Sequence, residues 1–197
     1  MDTSRRDLLA GAGGIVCTGA FAGCLDFTAG EGAAGPEGVP DTLSCADDEF
    51  VRLEPPIEEA VADRSAVADG VSVELSAEGT SETYGNSMRL AFRNAGEDDV
   101  RTYGEDAYTI QRETEEGWRE IRGSTSGETV ELPAEEESLS PNSAYNWNLT
   151  LREDAIAEAV SGLELTVCPA LGPGPHRFVY WGLLDGPPVG VEFQLIG

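Results

Sequence analysis

Residues 71–94, VSVELSAEGTSETYGNSMRLAFRN, hold two runs in which apolar and polar residues alternate along the chain. The apolar positions are Val71, Val73 and Leu75 in the first run and Met88, Leu90 and Phe92 in the second. Successive side chains of a strand point to opposite faces, so a period of two is typical of a strand buried on one face. The stretch therefore predicts two half-buried β-strands.

The same period continues towards the C-terminus. It recurs over residues 145–151 and 189–195, whereas residues 176–183 are apolar on both faces, which suits a central strand. Turn-forming residues separate the runs, and they lie at 94–96, 116–117, 140–142, 172–175 and 186–188. This spacing predicts an all-β fold, a β-sandwich of about seven to nine antiparallel strands.

Two stretches depart from the strand pattern. Residues 57–68, IEEAVADRSAVA, and residues 152–161, REDAIAEAVS, contain helix-forming residues with apolar positions three or four apart. This spacing predicts one or two short helices that cap the open ends of the sandwich. Both stretches are acidic, which argues against binding at a membrane surface.

Three motifs in the C-terminal two thirds resemble those of a known family. They are residues 103–121, similar to YGxxYxIxxxxxGxWxxV; residues 139–142, similar to an LxPG turn with Asn142 in place of glycine; and residues 171–178, similar to LxPGxYRxV with an extra Pro175 and with His176 at an aromatic position. Together they resemble an immunoglobulin-like domain family of exported bacterial and archaeal proteins and lipoproteins. The resemblance covers residues 71–197, and it implies an immunoglobulin-like β-sandwich without catalytic residues.

The N-terminal residues 1–23 resemble a twin-arginine lipoprotein signal. Arg5 and Arg6 precede a short, glycine-rich apolar stretch and the small residues that lead to Cys24. The stretch is shorter than the roughly 20 apolar residues of a membrane-spanning helix. We therefore expect export of the folded chain and lipid attachment at Cys24, with the protein held at the outer side of the cell membrane. Cys17 is a weaker acceptor, because the bulky Val16 precedes it.

The residues between the signal and the fold are rich in glycine, alanine and proline. Residues 24–44 contain few large apolar side chains, so they cannot bury enough surface to order themselves. We predict a flexible tether over residues 24–44 and a folded sandwich over residues 45–197.

The charged residues are predominantly acidic. Asp and Glu number 37, and the twelve basic residues are all arginine, which gives a formal net charge of −25. Like charges at this density repel one another unless salt screens them, and the Debye length falls from about 30 Å at 0.01 M to about 3 Å at 1 M. The chain therefore resembles a secreted protein of a halophilic archaeon. The lack of a basic patch argues against nucleic-acid binding.

Two of the four cysteines are expected in the folded domain. If Cys17 leaves with the signal and Cys24 carries lipid, Cys45 and Cys168 remain as an even pair in an oxidising compartment. We predict a disulfide between them. The alternative, a metal site or a reactive thiol pair, lacks CxxC spacing and neighbouring histidines.

The sequence predicts no catalytic residue, metal ligand or cofactor. The acidic clusters do not match a calcium-binding loop and are interpreted as solvated surface. His176 is the only histidine, and no nucleophile motif accompanies it, so we expect a loop or strand-edge residue there. The three tryptophans, Trp118, Trp147 and Trp181, are predicted to pack in the core, with an aromatic binding face as the alternative.

Asn148 begins the sequence Asn-Leu-Thr, which is an acceptor for N-glycosylation. A glycan at this position would suit a protein of the cell surface. A strand interior is an unusual context for such an acceptor.

These features indicate a non-catalytic protein that is anchored to the membrane lipid through Cys24 and that binds or supports an envelope or extracellular protein. A secreted proteinase-inhibitor-like module is one alternative, since a loop of a sandwich can block a protease. A solute-binding protein or an enzyme with an unrecognised site is the second, because a fold does not determine a function.

Overall fold

The computed structural model describes residues 32–197, and almost all regular structure in this range is β-strand. In chain order the elements are β1 (Val51–Arg52), β2 (Ala62–Asp63), β3 (Ser65–Ala68), β4 (Val71–Ala77), β5 (Ser81–Thr83), β6 (Ser87–Asn94), β7 (Val100–Thr102), β8 (Tyr108–Thr114), β9 (Gly117–Glu120), β10 (Arg122–Ser124), β11 (Glu137–Leu139), β12 (Ala144–Thr150), α1 (Glu153–Ala157), β13 (Thr166–Val167), β14 (Gly174–Tyr180) and β15 (Val189–Ile196).

Two main sheets form the body of the fold. One has four strands in the order β12-β6-β4-β3, and the other has the order β2-β15-β14-β8-β9, with β5 also paired to β15. Smaller sheets, β1-β10-β13 and β11-β7, lie beside them. The pairings are antiparallel except those of β15 with β2 and β5, which are parallel. The strand arrangement is therefore mixed at the β15 edge, where the sequence predicted antiparallel strands alone.

The two main sheets pack face to face through aromatic side chains. The ring of Phe92 on β6 lies 4.2 Å from that of Tyr180 on β14, and Trp147 on β12 lies 4.9 Å from Phe178 on β14, measured between ring centroids. The alternation in β4 has the expected effect, since Val71, Val73 and Leu75 are buried and the residues between them are exposed. The prediction of an all-β, sandwich-like fold is confirmed.

Two details of the predicted strand pattern are also confirmed. Strand β14 lies between β15 and β8, as the doubly apolar run predicts for a central strand. Asn142, which replaces the glycine of the LxPG-like turn, has a φ of 63°, within the left-handed region that asparagine adopts more readily than most residues.

One of the two predicted helices is absent from the described chain. Residues 152–161 contain α1, but residues 57–68 form no helix and instead end in β2 and β3. Strand β3 pairs antiparallel with β4, and Arg64, between β2 and β3, has a φ of 59°. Backbone pairing with β4 outweighs helix propensity here, because propensity differences are a few tenths of a kcal/mol per residue.

The folded part begins before Cys45. Residues 35–43, here called the strap, lie against the sandwich: the Gly35 N–H donates to the carbonyl of Leu171 at 2.7 Å and the Gly38 N–H to that of Pro173 at 2.8 Å. Leu43 at the end of the strap is buried. The predicted tether is therefore corrected over its second half, because buried hydrogen-bond partners hold this glycine-rich chain in place.

A disulfide joins the end of the strap to the body of the fold, as predicted. Cys45 and Cys168 are bonded across a sequence separation of 123 residues, with 5.7 Å between their Cα atoms. Arg52 supports this junction by donating to the carbonyl oxygens of Cys168 at 2.9 Å and Leu43 at 3.2 Å.

The predicted signal, residues 1–23 with Arg5 and Arg6, and the predicted lipid-accepting Cys24 lie outside the described residues. Within residues 32–197 no helix has the length and apolar character needed to cross a membrane.

Candidate functional site

The predicted site residues lie in separate parts of the described chain. Asn148 is exposed on β12, which is an edge strand of the four-stranded sheet, and its neighbour Leu149 is buried. The Cys45–Cys168 disulfide lies at the end of the strap. These residues form no shared site.

His176 is not the loop or strand-edge residue that the sequence predicted. It lies within the central strand β14, is 1% exposed, and stacks on Phe193 with 5.6 Å between ring centroids. Its Nδ1 atom lies 3.0 Å from the carbonyl oxygen of Gly174. Burial lowers the pKa of His176 to about 4, opposed by the Gly174 contact and assisted by the charge of Arg112. The imidazole is therefore neutral at neutral pH.

Two buried arginines each have structural partners. Arg112 on β8 donates to the backbone carbonyls of Gly172 and Pro36, and also to those of Gly38 at 3.0 Å and Pro173 at 3.1 Å. Burial lowers the pKa of its guanidinium. Arg112 thereby connects the strap to the chain that leads into β14.

Arg122 on β10 pairs with Glu120, with Nε 3.1 Å from Oε1 and Nη2 3.1 Å from Oε2. Its guanidinium lies over the ring of Tyr108, 4.8 Å from the centroid. Burial acts to lower the pKa of Arg122, but the Glu120 carboxylate outweighs it and raises the pKa above the ordinary value. Because these charges neutralise each other, the pair is a structural element of the core.

The three tryptophans have different surroundings and form no common face. Trp147 packs in the aromatic layer between the sheets. Trp118 on β9 carries the guanidinium of Arg177 over its ring at 4.5 Å. Trp181 follows the last residue of β14 and lines a surface groove.

This groove, here called the Trp181 groove, is the candidate functional site and encloses about 470 Å³. Four chain segments supply its lining, which is largely apolar with two glutamates. The lining residues are Leu53, Glu54, Pro55, Pro56, Tyr103, Thr129, Val130, Glu131, Leu132, Ala134 and Trp181.

Backbone hydrogen bonds to the body of the fold position three of these segments. The N–H groups of Trp181 and Tyr103 donate to the carbonyls of Ala107 at 3.0 Å and Gly182 at 2.8 Å. Leu53 is held by a hydrogen bond of 3.0 Å to the Arg122 carbonyl. The rings of Tyr103 and Trp181 are thereby placed 6.2 Å apart at an angle of 49°. One flank of the groove is consequently rigid.

The indole of Trp181 provides an unused donor at this rigid flank. The residue is 7% exposed, and its Nε1 atom is buried without a hydrogen-bond partner among the described residues. A buried donor that lacks an acceptor typically costs about 1–3 kcal/mol. A ligand recovers that free energy only if its binding uncovers the N–H and presents an acceptor to it.

A further part of the lining consists of residues 129–134, here called the groove wall. This segment is irregular and mostly exposed, and its backbone makes no hydrogen bond to any other described residue. The groove thus combines apolar surface, an unpaired indole donor, free backbone groups and the carboxylates of Glu54 and Glu131. These are elements of a binding site.

The sequence did not reveal this groove. The sequence predicts that Trp181 packs in the core, with an aromatic binding face as the alternative. The Pro55-Pro56 pair indicates an extended segment, but no local pattern connects it with residues that lie about 50 to 125 positions further along the chain. Only the packing of β1, β7 and β14 brings these segments together.

No group of three or more metal-ligating side chains lies together within residues 32–197. No protein family and no curated protein matches the sequence. Among solved structures, the chain is similar to crystal structures of a β-glucosidase from Listeria innocua: 19% identity and a TM-score of 0.32 for the glucose complex, and 18% and 0.30 for the isofagomine complex. Each match covers 64% of this chain and 16% of the β-glucosidase chain, about a sixth of that enzyme's length.

Proposed function

We propose that this chain is a non-catalytic, lipid-anchored protein on the surface of a halophilic archaeon, where its immunoglobulin-like β-sandwich binds another envelope or extracellular protein. The lipid is attached at Cys24, after export directed by Arg5 and Arg6. The Trp181 groove is the surface that contacts the partner.

The observation that carries this proposal is the attachment of the strap. A domain held by a lipid at its N-terminus transmits every external force through the residues that follow the lipid. In this chain those residues meet the fold at the strap, where Arg112 and the Cys45–Cys168 disulfide attach them to two sites on the sandwich. A covalent bond and buried hydrogen bonds at this position suit a tethered domain.

The surface charge supports the proposed habitat. The net charge of −25 without lysine favours solubility in concentrated salt, where the repulsion between carboxylates is screened. The exposed ion pairs, such as Arg89–Glu78 at 3.0 Å and Arg93–Glu74 at 3.1 Å, lie on the outer face of the four-stranded sheet and contribute little to stability.

Lipid attachment is tested by expressing Cys24→Ser in a halophilic host and separating membrane from medium. We expect the wild-type protein in the membrane fraction and the variant in the soluble fractions. Cys17→Ser is the matched control and should leave the protein at the membrane. A Cys24→Ser variant that stays at the membrane would contradict the lipoprotein proposal.

Export and binding need separate tests. Replacing both Arg5 and Arg6 by lysine should retain the precursor inside the cell, because the signal would lose its arginine pair.

Chemical crosslinking of intact wild-type cells in concentrated salt, followed by purification of this protein, should identify an envelope partner. If only self-crosslinks are found, the binding proposal fails while the anchoring proposal stands.

We also propose that Asn148 carries an N-linked glycan. Its side chain is exposed, and Thr150, the acceptor-defining residue, forms a hydrogen bond of 2.9 Å with Ser87. Mass spectrometry of the native protein should show a glycan that Asn148→Gln removes, whereas Asn146→Gln, an exposed neighbour on β12, should keep it. An unmodified peptide containing Asn148 would refute the proposal.

A further inference from the structure

We infer that the Trp181 groove binds an extended, basic peptide segment of the partner protein. This inference rests on the proposed function of the chain as a binding protein, and it adds the chemical class of the ligand. Three features of the groove support it: the unpaired indole donor, the free backbone of the groove wall and the signs of the charges around the groove.

The buried Nε1–H of Trp181 requires an acceptor from the ligand. A peptide carbonyl is a strong neutral acceptor and is present at every residue of an extended segment. Neither water nor a ligand oxygen reaches this atom in the present arrangement, since the indole nitrogen is fully buried. An acceptor meets it only if binding shifts the indole, as we expect when a peptide backbone with one apolar side chain fills the groove.

The groove wall offers a second set of backbone contacts. Exposed backbone with unpaired N–H and C=O groups can pair with the backbone of an extended peptide. The backbone of residues 129–134 has no partner among the described residues, and only Pro133 in this range lacks an N–H. A peptide lying along the wall would pair its own backbone with these groups.

The charges select a basic segment. Glu54 and Glu131 line the groove and are exposed, and no arginine or histidine lines it. An acidic segment would face these two carboxylates on a chain that already carries a net charge of −25. Arginine side chains flanking an apolar residue would pair with the carboxylates, while the apolar residue packs against Tyr103, Leu132 and the two prolines.

A carbohydrate fits the same groove less well. Sugar rings need an aromatic face on which to stack, but Trp181 is almost fully buried, and the ring of Tyr103 is inclined to it by 49°. Most of the lining consists of apolar and proline residues, which offer few hydrogen bonds to hydroxyl groups.

The test uses the purified folded protein in moderate and in concentrated salt, titrated calorimetrically with synthetic peptides of about ten residues, or roughly 33 Å when extended. Three peptide series share the same apolar residues, leucine, valine or proline, at alternate positions. The remaining positions are arginine in the first series, serine in the second and glutamate in the third. Cellobiose is the carbohydrate probe. We expect the arginine series to bind best, with the advantage over glutamate falling as salt increases.

Three variants place binding in the groove. Trp181→Phe, which keeps an aromatic ring but removes the N–H, should weaken binding about tenfold. Val130→Pro, which removes a donor of the exposed wall, should weaken it similarly. Glu54→Gln combined with Glu131→Gln should reduce the preference for arginine over glutamate, and the remaining preference should be that of the net charge of the rest of the chain. Trp118→Phe and Glu78→Gln, both outside the groove, are the matched controls and should leave binding unchanged.

The inference is overturned if no peptide series binds, if cellobiose binds in preference, or if the glutamate series binds as well as the arginine series. It is also overturned if Val130→Pro and the double glutamate variant bind like the wild type. Should the cell-surface crosslinking identify a partner that both of these variants still bind, the peptide groove is wrong, while lipid anchoring at Cys24 and binding of a partner at another surface stand.

Discussion

The strap and the groove wall are both irregular segments that lie against the same β-sandwich, yet they are held very differently. The strap, residues 35–43, is attached by backbone hydrogen bonds from Gly35 and Gly38, by Arg112 and by the disulfide that follows it. The backbone of the groove wall, residues 129–134, has no hydrogen bond to any described residue. Irregular chain is therefore not uniformly loose in this protein.

The difference in hydrogen bonding matches two different roles, attachment of the chain at the strap and binding of a partner at the groove wall. Strong constraints lie where the predicted lipid tether meets the fold, and free backbone groups lie where the proposed partner would add its own. Regions with few internal hydrogen bonds open at low free-energy cost, whereas regions joined to the core open only with the whole fold.

Removing the disulfide should have the largest effect on the attached region. Replacing Cys45 and Cys168 by alanine releases a loop of 123 residues in the unfolded chain, and loop-closure entropy assigns about 4 to 5 kcal/mol to this change. Thermal unfolding in concentrated salt should show a clearly lower Tm than the wild type, and reduced wild-type protein should behave like the variant. Equal Tm values for all three would show that the covalent bond contributes nothing to the attachment.

Arg112→Met should detach the strap without touching the disulfide. The substitution leaves the carbonyls of Pro36 and Gly38 without their charged donor, and we expect a loss of about 3 to 4 kcal/mol in unfolding free energy. Hydrogen exchange at the Gly35 and Gly38 amides should accelerate. Arg177→Met, in which an arginine of the adjacent strand is removed, should leave these amides protected. Unchanged exchange in Arg112→Met would contradict the role assigned to Arg112.

His176, the cross-strand neighbour of Arg112, should make stability at this end of the sandwich pH-dependent. Its pKa is lowered to about 4 from an ordinary 6.5, so the unfolded chain takes up a proton first as the pH falls. The contribution is complete above pH 6.5 and is lost between pH 6.5 and about 4, by about 3 kcal/mol.

The variant His176→Phe isolates this contribution, since the sequence has no other histidine. Chemical unfolding of wild type and variant at pH 7.5 and pH 4.5 should show a smaller decline for the variant over this range. Carboxylate protonation affects both proteins and cancels in the comparison. Parallel declines would show that His176 is protonated in the folded state.

Glu131→Gln on the groove wall should change unfolding free energy by less than about 0.5 kcal/mol, because the side chain is exposed and has no ion-pair partner among the described residues. The amides of Thr129 and Val130 should exchange much faster than those of Gly35 and Gly38. Comparable protection of the two segments would remove the distinction between strap and wall.

The sequence allowed good prediction wherever burial acts on neighbouring residues. Strands β4 and β6 were predicted because their apolar residues, among them Val73 and Phe92, recur at every second position. This is the spacing that one buried face requires. The turn at residues 140–142 was predicted from its own turn-forming residues, and Asn142 there adopts the left-handed region. The disulfide followed from the number of cysteines and the expected compartment, without any knowledge of their distance.

Prediction failed where distant pairing decides the outcome. Residues 57–68 have helix-forming composition, yet β3 pairs with β4, and a backbone ladder outweighs small propensity differences. His176 was expected at an edge, but the register of β14 against β15 places it on Phe193. The strap was expected to be flexible because its own side chains are small, while its partners belong to β8 and the segment before β14.

By itself, the sequence determined the all-β character of this protein, its acidic surface and the pair of cysteines that join, because alternation, charge and cysteine number are local or compositional properties. Only the tertiary structure decided that the strap is attached, that His176 is buried and that Trp181 and Tyr103 face a free backbone segment. Each of these depends on sheet register and on contacts between segments far apart in the chain, which no local pattern records.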